Sequence, residues 1–268
     1  MEAIGQILEK ATQDLLKPGS QEKQTGLNEP QQEKCQKHGV VLRVKRGYMG
    51  EESLVCWSCE QEEYNRNQKV REIQKCHDGI GLSERLRLMT FSSYIPKSEK
   101  EAAAKKACED YASDVVSGGP GGLILLGGVG TGKTHLAIAV CKKVCDEAKA
   151  AKLTSVPKII RHIRSSWSDN ATDEWGKRMT EDEVIRSYSD YALLVIDEIG
   201  VQYGTPAEKI TISEVINERY NRMRPTILIG NVKISEAEEF LGARVVDRVK
   251  DEGRVLIFDW QSHRQMKK

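Results

Sequence analysis

Eight consecutive residues, Gly127-Gly128-Val129-Gly130-Thr131-Gly132-Lys133-Thr134, spell a complete G-x-x-x-x-G-K-T. The chemistry that needs this order is capture of a polyphosphate. Glycines let successive backbone N–H groups curl round a phosphate, and the partial positive charge of a helix start adds to the attraction. A lysine next to the last glycine reaches the β and γ oxygens, and the following hydroxyl binds Mg²⁺. An apolar strand before the loop and an amphipathic helix after it are the context this reading requires, and Leu123 to Leu126 and the stretch from Lys133 supply both patterns. Gly128, Val129, Gly130, Thr131, Gly132, Lys133, Thr134 and His135 are therefore expected to bind ATP.

A second apolar run, Leu193 to Ile196, ends in Asp197 and Glu198. A strand ending in Asp-Glu can be a solvated turn. Downstream of a phosphate loop, on a neighbouring parallel strand, it reads as the partner pair. Asp197 would then hold Mg²⁺ together with Thr134, and Glu198 would polarise the attacking water.

A third constellation lies near the amino terminus. Cys35-x-x-His38, seventeen intervening residues, then Cys56-x-x-Cys59 offers three thiolates and one imidazole in two close pairs, the composition of a closed tetrahedral zinc site. Gly39, Gly47 and Gly50 loosen the connecting hairpin, and so short a stretch has little core without a metal. Cys76 and His77 are adjacent and point apart on a helix. Cys108, Cys141 and Cys145 fall in helical patterns as small buried apolar residues.

These residues must be positioned by a chain of 268 residues with 39% apolar content, enough for one full α/β domain and a smaller module. Formal net charge is +1, so no global basic field announces a nucleic-acid binder and any such contact must be local. No apolar run approaches the roughly 18 residues of a membrane span, and a cytoplasmic location without a membrane partner is expected. An odd count of seven cysteines favours free thiols and metal ligands over a disulfide framework.

The pattern divides the chain into an amino-terminal helix and tether (1–34), a zinc-binding module (35–64), a charged and mostly solvent-facing connector (65–95) and an α/β domain with a central parallel sheet (96–268). Within the last, helices are expected at Glu99 to Val116, from Lys133, at Lys158 to Trp167 and at Ala207 to Arg222. Strands are expected at Leu123 to Leu126, Ala192 to Ile196, Thr226 to Ile229 and Val255 to Phe258, with a loop over Ser168 to Thr180.

Further segments carry a family resemblance: LLVIDEIGVQ from Leu193, RPT from Arg224, LGARVVDR from Leu241 and FDWQSHR from Phe258, added to GGVGTGKTHLA. Together, in this order, they resemble the DnaC-type replicative helicase loaders, a branch of the AAA+ ATPases, over roughly Gly81 to Arg264. The related IstB-type transposition helper ATPases share many of them.

The resemblance implies roles that spacing could not give. Asn231 matches sensor 1, near the γ-phosphate. Arg248 matches the arginine finger that reaches a neighbouring subunit's ATP, with Arg244 one turn earlier as a competitor. Arg264 matches sensor 2. Lys158, Arg161 and Arg164 recur on one helical face, and the family places single-stranded DNA contacts there, with Trp167 as a stacking surface. Implied partners are a DnaB-type hexameric helicase, single-stranded DNA and further copies of the chain, in an oligomer or spiral where ATP acts as a switch. The zinc motif departs from the helical amino terminus of the best-known loader. A transposition helper that coats duplex DNA and a zinc-dependent binding adaptor are the alternative functions.

Overall fold

The computed structural model describes residues 33–167, 179–200, 205–251 and 253–263. The expected amino-terminal helix, most of the loop over Ser168 to Thr180, and Arg264 lie outside them. The chain divides into two compact units, Met1–Tyr64 and Asn65–Lys268.

In the first unit, β1 (Arg43–Arg46) and β2 (Glu52–Val55) form an antiparallel hairpin in which Val44 faces Leu54. Gly50 closes its turn at φ +86°, a left-handed conformation that costs glycine nothing. Helix α1 (Trp57–Gly79) starts in this unit, and none of its residues is buried. Its charges fall all around the helix, leaving no apolar stripe to pack.

The second unit is a parallel sheet covered on both faces. In chain order it contains α2 (Glu84–Arg87), α3 (Glu99–Val116), β3 (Gly122–Gly127), α4 (Lys133–Cys145), β4 (Ala151–Ser155), α5 (Val156–Ser166), α6 (Glu181–Asp190), β5 (Leu193–Ile199), α7 (Pro206–Asn221), β6 (Thr226–Gly230), α8 (Ile234–Leu241), α9 (Ala243–Asp251) and β7 (Arg254–Phe258). The strand order is β4-β5-β6-β3-β7, and every pairing is parallel.

Strand periodicity sorts the core into two layers. Leu123, Leu125, Leu193, Val195, Ile227 and Ile229 pack with α3 and α4, while Ile124, Leu126, Leu194, Ile196 and Leu228 pack under α5, α6, α7, α8 and α9. Ile80 and Tyr94, from the stretch expected to be connector, are buried in the first layer.

One topological expectation is corrected. The strand of Asp197 does not neighbour the strand of the glycine loop, because β6 lies between them. The glycine loop, the residue after β6 and the end of β5 nevertheless converge, because all three strands run the same way and end along one edge.

Candidate functional site

The glycine loop leaves β3 at Gly127, φ +137°, where a Cβ would stand 2.2 Å from the carbonyl oxygen of Phe258. It enters α4 at Gly132, φ +99°, where a Cβ would stand 2.6 Å from the Tyr94 ring. No other residue fits either place. Lys133 is buried, and its ammonium donates to the carbonyls of Gly127 at 2.9 Å and Gly128 at 2.6 Å. Burial pushes its pKa down, with Asp197 opposing the shift.

Thr134 Oγ1 donates to Asp197 Oδ2 at 2.9 Å, and Asp197 Oδ1 accepts from the Glu198 backbone N–H at 2.7 Å. Burial pushes the Asp197 carboxyl up, the two hydrogen bonds working against it. A hydroxyl beside a half-buried carboxylate is an oxygen donor pair suited to Mg²⁺. Glu198 is exposed and sits at φ +64°, an unusual conformation for a side chain with a Cβ. The register of β5 against β6 shifts between Ile196 and Ile199, so the strand kinks where its two carboxylates emerge.

A cleft of about 820 Å³ is lined by Gly130, Lys133, Thr134, Asp197, Glu198 and Asn231 together with Arg85, Tyr94, His135 and His263. Tyr94 stands edge-on to His135, with centroids at 5.3 Å, and to His263 at 5.9 Å. His135 Nε2–H donates to the Thr90 carbonyl at 2.9 Å, and burial pushes its pKa down. Arg85, Tyr94 and His263 were missed as site residues. Arg85 and Tyr94 lie in a stretch with no motif, and His263 stands inside the FDWQSHR segment, where the resemblance implies a role for Arg264 alone.

The other expected residues are dispersed. Arg248, on α9, does not line this cleft; its Nη1 donates to Asn217 Oδ1 at 2.7 Å and its guanidinium lies 5.2 Å from the centre of the Tyr220 ring. Arg244 has no described side chain. On α5, Val156, Ile159, Ile160 and Ile163 are buried while Lys158, Arg161 and Arg164 face outward. Arg164 is bound to Glu208 at 2.7 Å. Trp167 is exposed, and its indole N–H donates to Glu181 Oε2 at 3.0 Å.

In the first unit, Cys35, His38, Cys56 and Cys59 bring their donor atoms within 4.8 Å of one another. His38 Nδ1 lies 3.7, 3.5 and 3.3 Å from the sulfurs of Cys35, Cys56 and Cys59, and Cys35 Sγ lies 3.6 Å from Cys59 Sγ. Thiolates about 2.3 Å from one tetrahedral zinc stand roughly 3.8 Å apart, so these spacings fit the ion. The opposite ring nitrogen of His38, Nε2, lies 3.1 Å from Glu62 Oε1. The backbone N–H of His38 is the largest influence on the Cys35 thiol, whose pKa falls to about 6, while sharing a hydrogen bond with Cys35 pushes Cys59 up to about 11. All seven cysteines are free thiols, and Cys108, Cys141 and Cys145 are buried as expected.

Among the described residues, no helix is long and apolar enough to cross a membrane. Residues 59–268 match the model of a family described as IstB-like ATP binding protein. Replicative helicase loader DnaC of Escherichia coli strain K12 is 27% identical over 231 residues, which cover 84% of this chain and 91% of that protein. A solved DnaC helicase loader structure superposes with a TM-score of 0.55 at 21% identity, covering 65% of this chain and 99% of the other. A solved DnaI structure gives a TM-score of 0.53 at 16% identity, covering 68% and 93%. With the glycine loop, its lysine and the Thr134–Asp197 pair gathered at one sheet edge, and the family match running over that whole unit, this chain belongs to the IstB-like ATP-binding proteins.

Proposed function

We propose that this protein loads a hexameric replicative helicase onto single-stranded DNA and uses ATP as the switch. The observation that carries this reading is the similarity to DnaC, which extends over 84% of the chain rather than the nucleotide site alone.

In this reading Lys133 exchanges the carbonyls of Gly127 and Gly128 for β and γ phosphate oxygens, and the loop amides hold the β-phosphate. Thr134 and Asp197 hold Mg²⁺, which neutralises charge on those oxygens when bound. Glu198, exposed on its kinked strand, orients and polarises water, and Asn231 faces the same cleft. Arg248 completes the site of an adjacent copy, so hydrolysis is slow in a lone chain and rises on assembly. Its position outside the cleft of its own chain is consistent with a role in trans. Lys158 and Arg161 follow a DNA backbone. Cys35, His38, Cys56 and Cys59 hold zinc, which supplies the cross-link that a module with so little core requires.

Co-purification with a DnaB-type helicase tests the reading. The full chain should retain the helicase in the presence of ATP, and Lys133→Ala should lose nucleotide binding and loading activity. Full loading by that variant sinks the switch. The family description also favours a second reading, a transposition helper. Length-dependent coating of duplex DNA without helicase retention would select it.

A further inference from the structure

The last described segment, residues 259–263, runs along the glycine loop. The Trp260 indole N–H donates to the Thr131 carbonyl at 3.0 Å, and the His263 backbone N–H donates to the Gly130 carbonyl at 2.9 Å. These carbonyls belong to two consecutive peptide units of the loop. In a trans peptide plane the C=O of one residue points opposite to the N–H of the next. A donor on the Gly130 carbonyl therefore orients the Thr131 amide, and a donor on the Thr131 carbonyl orients the Gly132 amide.

Orientation matters here because the loop binds an anion with N–H groups. A flipped peptide would turn a carbonyl oxygen toward the phosphate instead. Gly130 and Gly132, at φ +79° and +99°, are residues whose backbones allow such a flip most readily. Thr131 is only 1% exposed, so water is a poor substitute donor for its carbonyl.

The segment that supplies the donors is itself anchored. Fully buried Phe258 pairs in register with Gly127 at the end of β7, and its carbonyl accepts from the Gly128 N–H at 3.4 Å. The Trp260 ring lies 4.7 Å from the Phe258 ring, and Lys100 binds Asp259 at 2.7 Å.

We propose that Trp260 is a positioning residue for nucleotide capture, holding the Gly132 amide in its phosphate-binding orientation while the His263 backbone does the same for the Thr131 amide. The proposal rests on the reading of Gly127 to Thr134 as the phosphate site. Trp260 acts through the loop and touches no phosphate.

Calorimetric titration of the full chain and of Trp260→Phe with ATP·Mg²⁺ and with adenosine tests it. Phenylalanine keeps an aromatic ring against Phe258 and removes the N–H together with part of the indole's bulk. The Kd for ATP should rise roughly ten-fold while the adenosine affinity stays as in the wild type and the melt stays cooperative. Equal ATP affinity in the two proteins overturns the proposal, and so does a parallel loss for adenosine, which would make Trp260 a packing residue only.

Should Trp260→Phe fail to give a cooperative melt, a chain carrying Trp57→Phe, Trp167→Phe and Trp175→Phe leaves Trp260 as the sole indole. Its indole N–H should exchange slowly with solvent, both in the free chain and on saturation with ATP·Mg²⁺; a freely exchanging indole proton overturns the proposal. A wild-type chain that binds no ATP removes the phosphate-site reading itself, a result distinct from equal binding by both proteins.

Discussion

Thr134, in the first turn of α4, and Asp197, near the end of β5, stand 63 positions apart in the chain, and their side-chain oxygens meet at 2.9 Å. This one hydrogen bond joins the glycine loop to the acidic pair and places a hydroxyl and a carboxylate where a divalent cation needs oxygen donors.

Replacing the hydroxyl with a methyl group of similar size tests that relationship. Thr134→Val leaves Asp197 Oδ2 without its donor and removes the proposed magnesium ligand. The affinity for ATP·Mg²⁺ should fall roughly ten-fold or more, while binding of ATP in excess EDTA should change little. Titration with and without the metal separates the two outcomes.

On α5, Lys158 and Arg161 face outward, and Arg164 is tied to Glu208. A Lys158→Ala, Arg161→Ala double variant should weaken single-stranded DNA binding and make the slope of log K against log salt shallower by about 1.4, two counterions' worth. Arg164→Ala should move that slope less. An unchanged slope in the double variant would place the DNA path elsewhere.

Glu62 sits behind the ring of His38, with Oε1 3.1 Å from Nε2 while Nδ1 faces the three sulfurs. A carboxylate there fixes the tautomer that leaves Nδ1 free to ligate and raises its basicity. Glu62→Gln should lower zinc affinity roughly 10–100-fold, read by competition with a chromophoric chelator, with full stoichiometry restored at high zinc.

Arg219 carries the most demanding buried group of the second unit. Fully buried on α7, it donates to the carbonyls of Tyr188, Tyr191 and Pro225 and to Thr226 Oγ1, and burial pushes its pKa down to about 9. Those acceptors tie the end of α6 and the start of β6 to α7. Arg219→Leu strands several buried carbonyls and should lower the unfolding free energy by about 3–5 kcal/mol, visible as an earlier chemical denaturation midpoint.

How far the sequence could be read followed from how local each signal was. The helix Glu99–Val116 was legible because its buried positions Ala104, Cys108, Tyr111, Ala112 and Val115 repeat at helical spacing in an otherwise polar stretch. Strand β4, Ala151–Ser155, was not foreseen. Its apolar–polar alternation, Ala-Lys-Leu-Thr, is only four residues long and includes no β-branched apolar residue, and its pairing with β5 makes it a strand. Helix α6 was missed too, although Thr180 and Glu183 form a capping box that announces its start.

By itself the sequence determined the chemistry of near-consecutive residues: a glycine loop ending in Lys133 and Thr134, an acidic pair after an apolar strand, and two Cys/His pairs. Each depends on backbone neighbours, so residue type and spacing suffice. Tertiary structure alone decided that β6 lies between the strands of the glycine loop and of the acidic pair, that Ile80 and Tyr94 join the core, that Glu208 engages Arg164, and that Trp260 reaches the loop. Those relationships unite residues far apart in the chain, and which donor meets which acceptor is fixed only when strand order and helix packing bring them together.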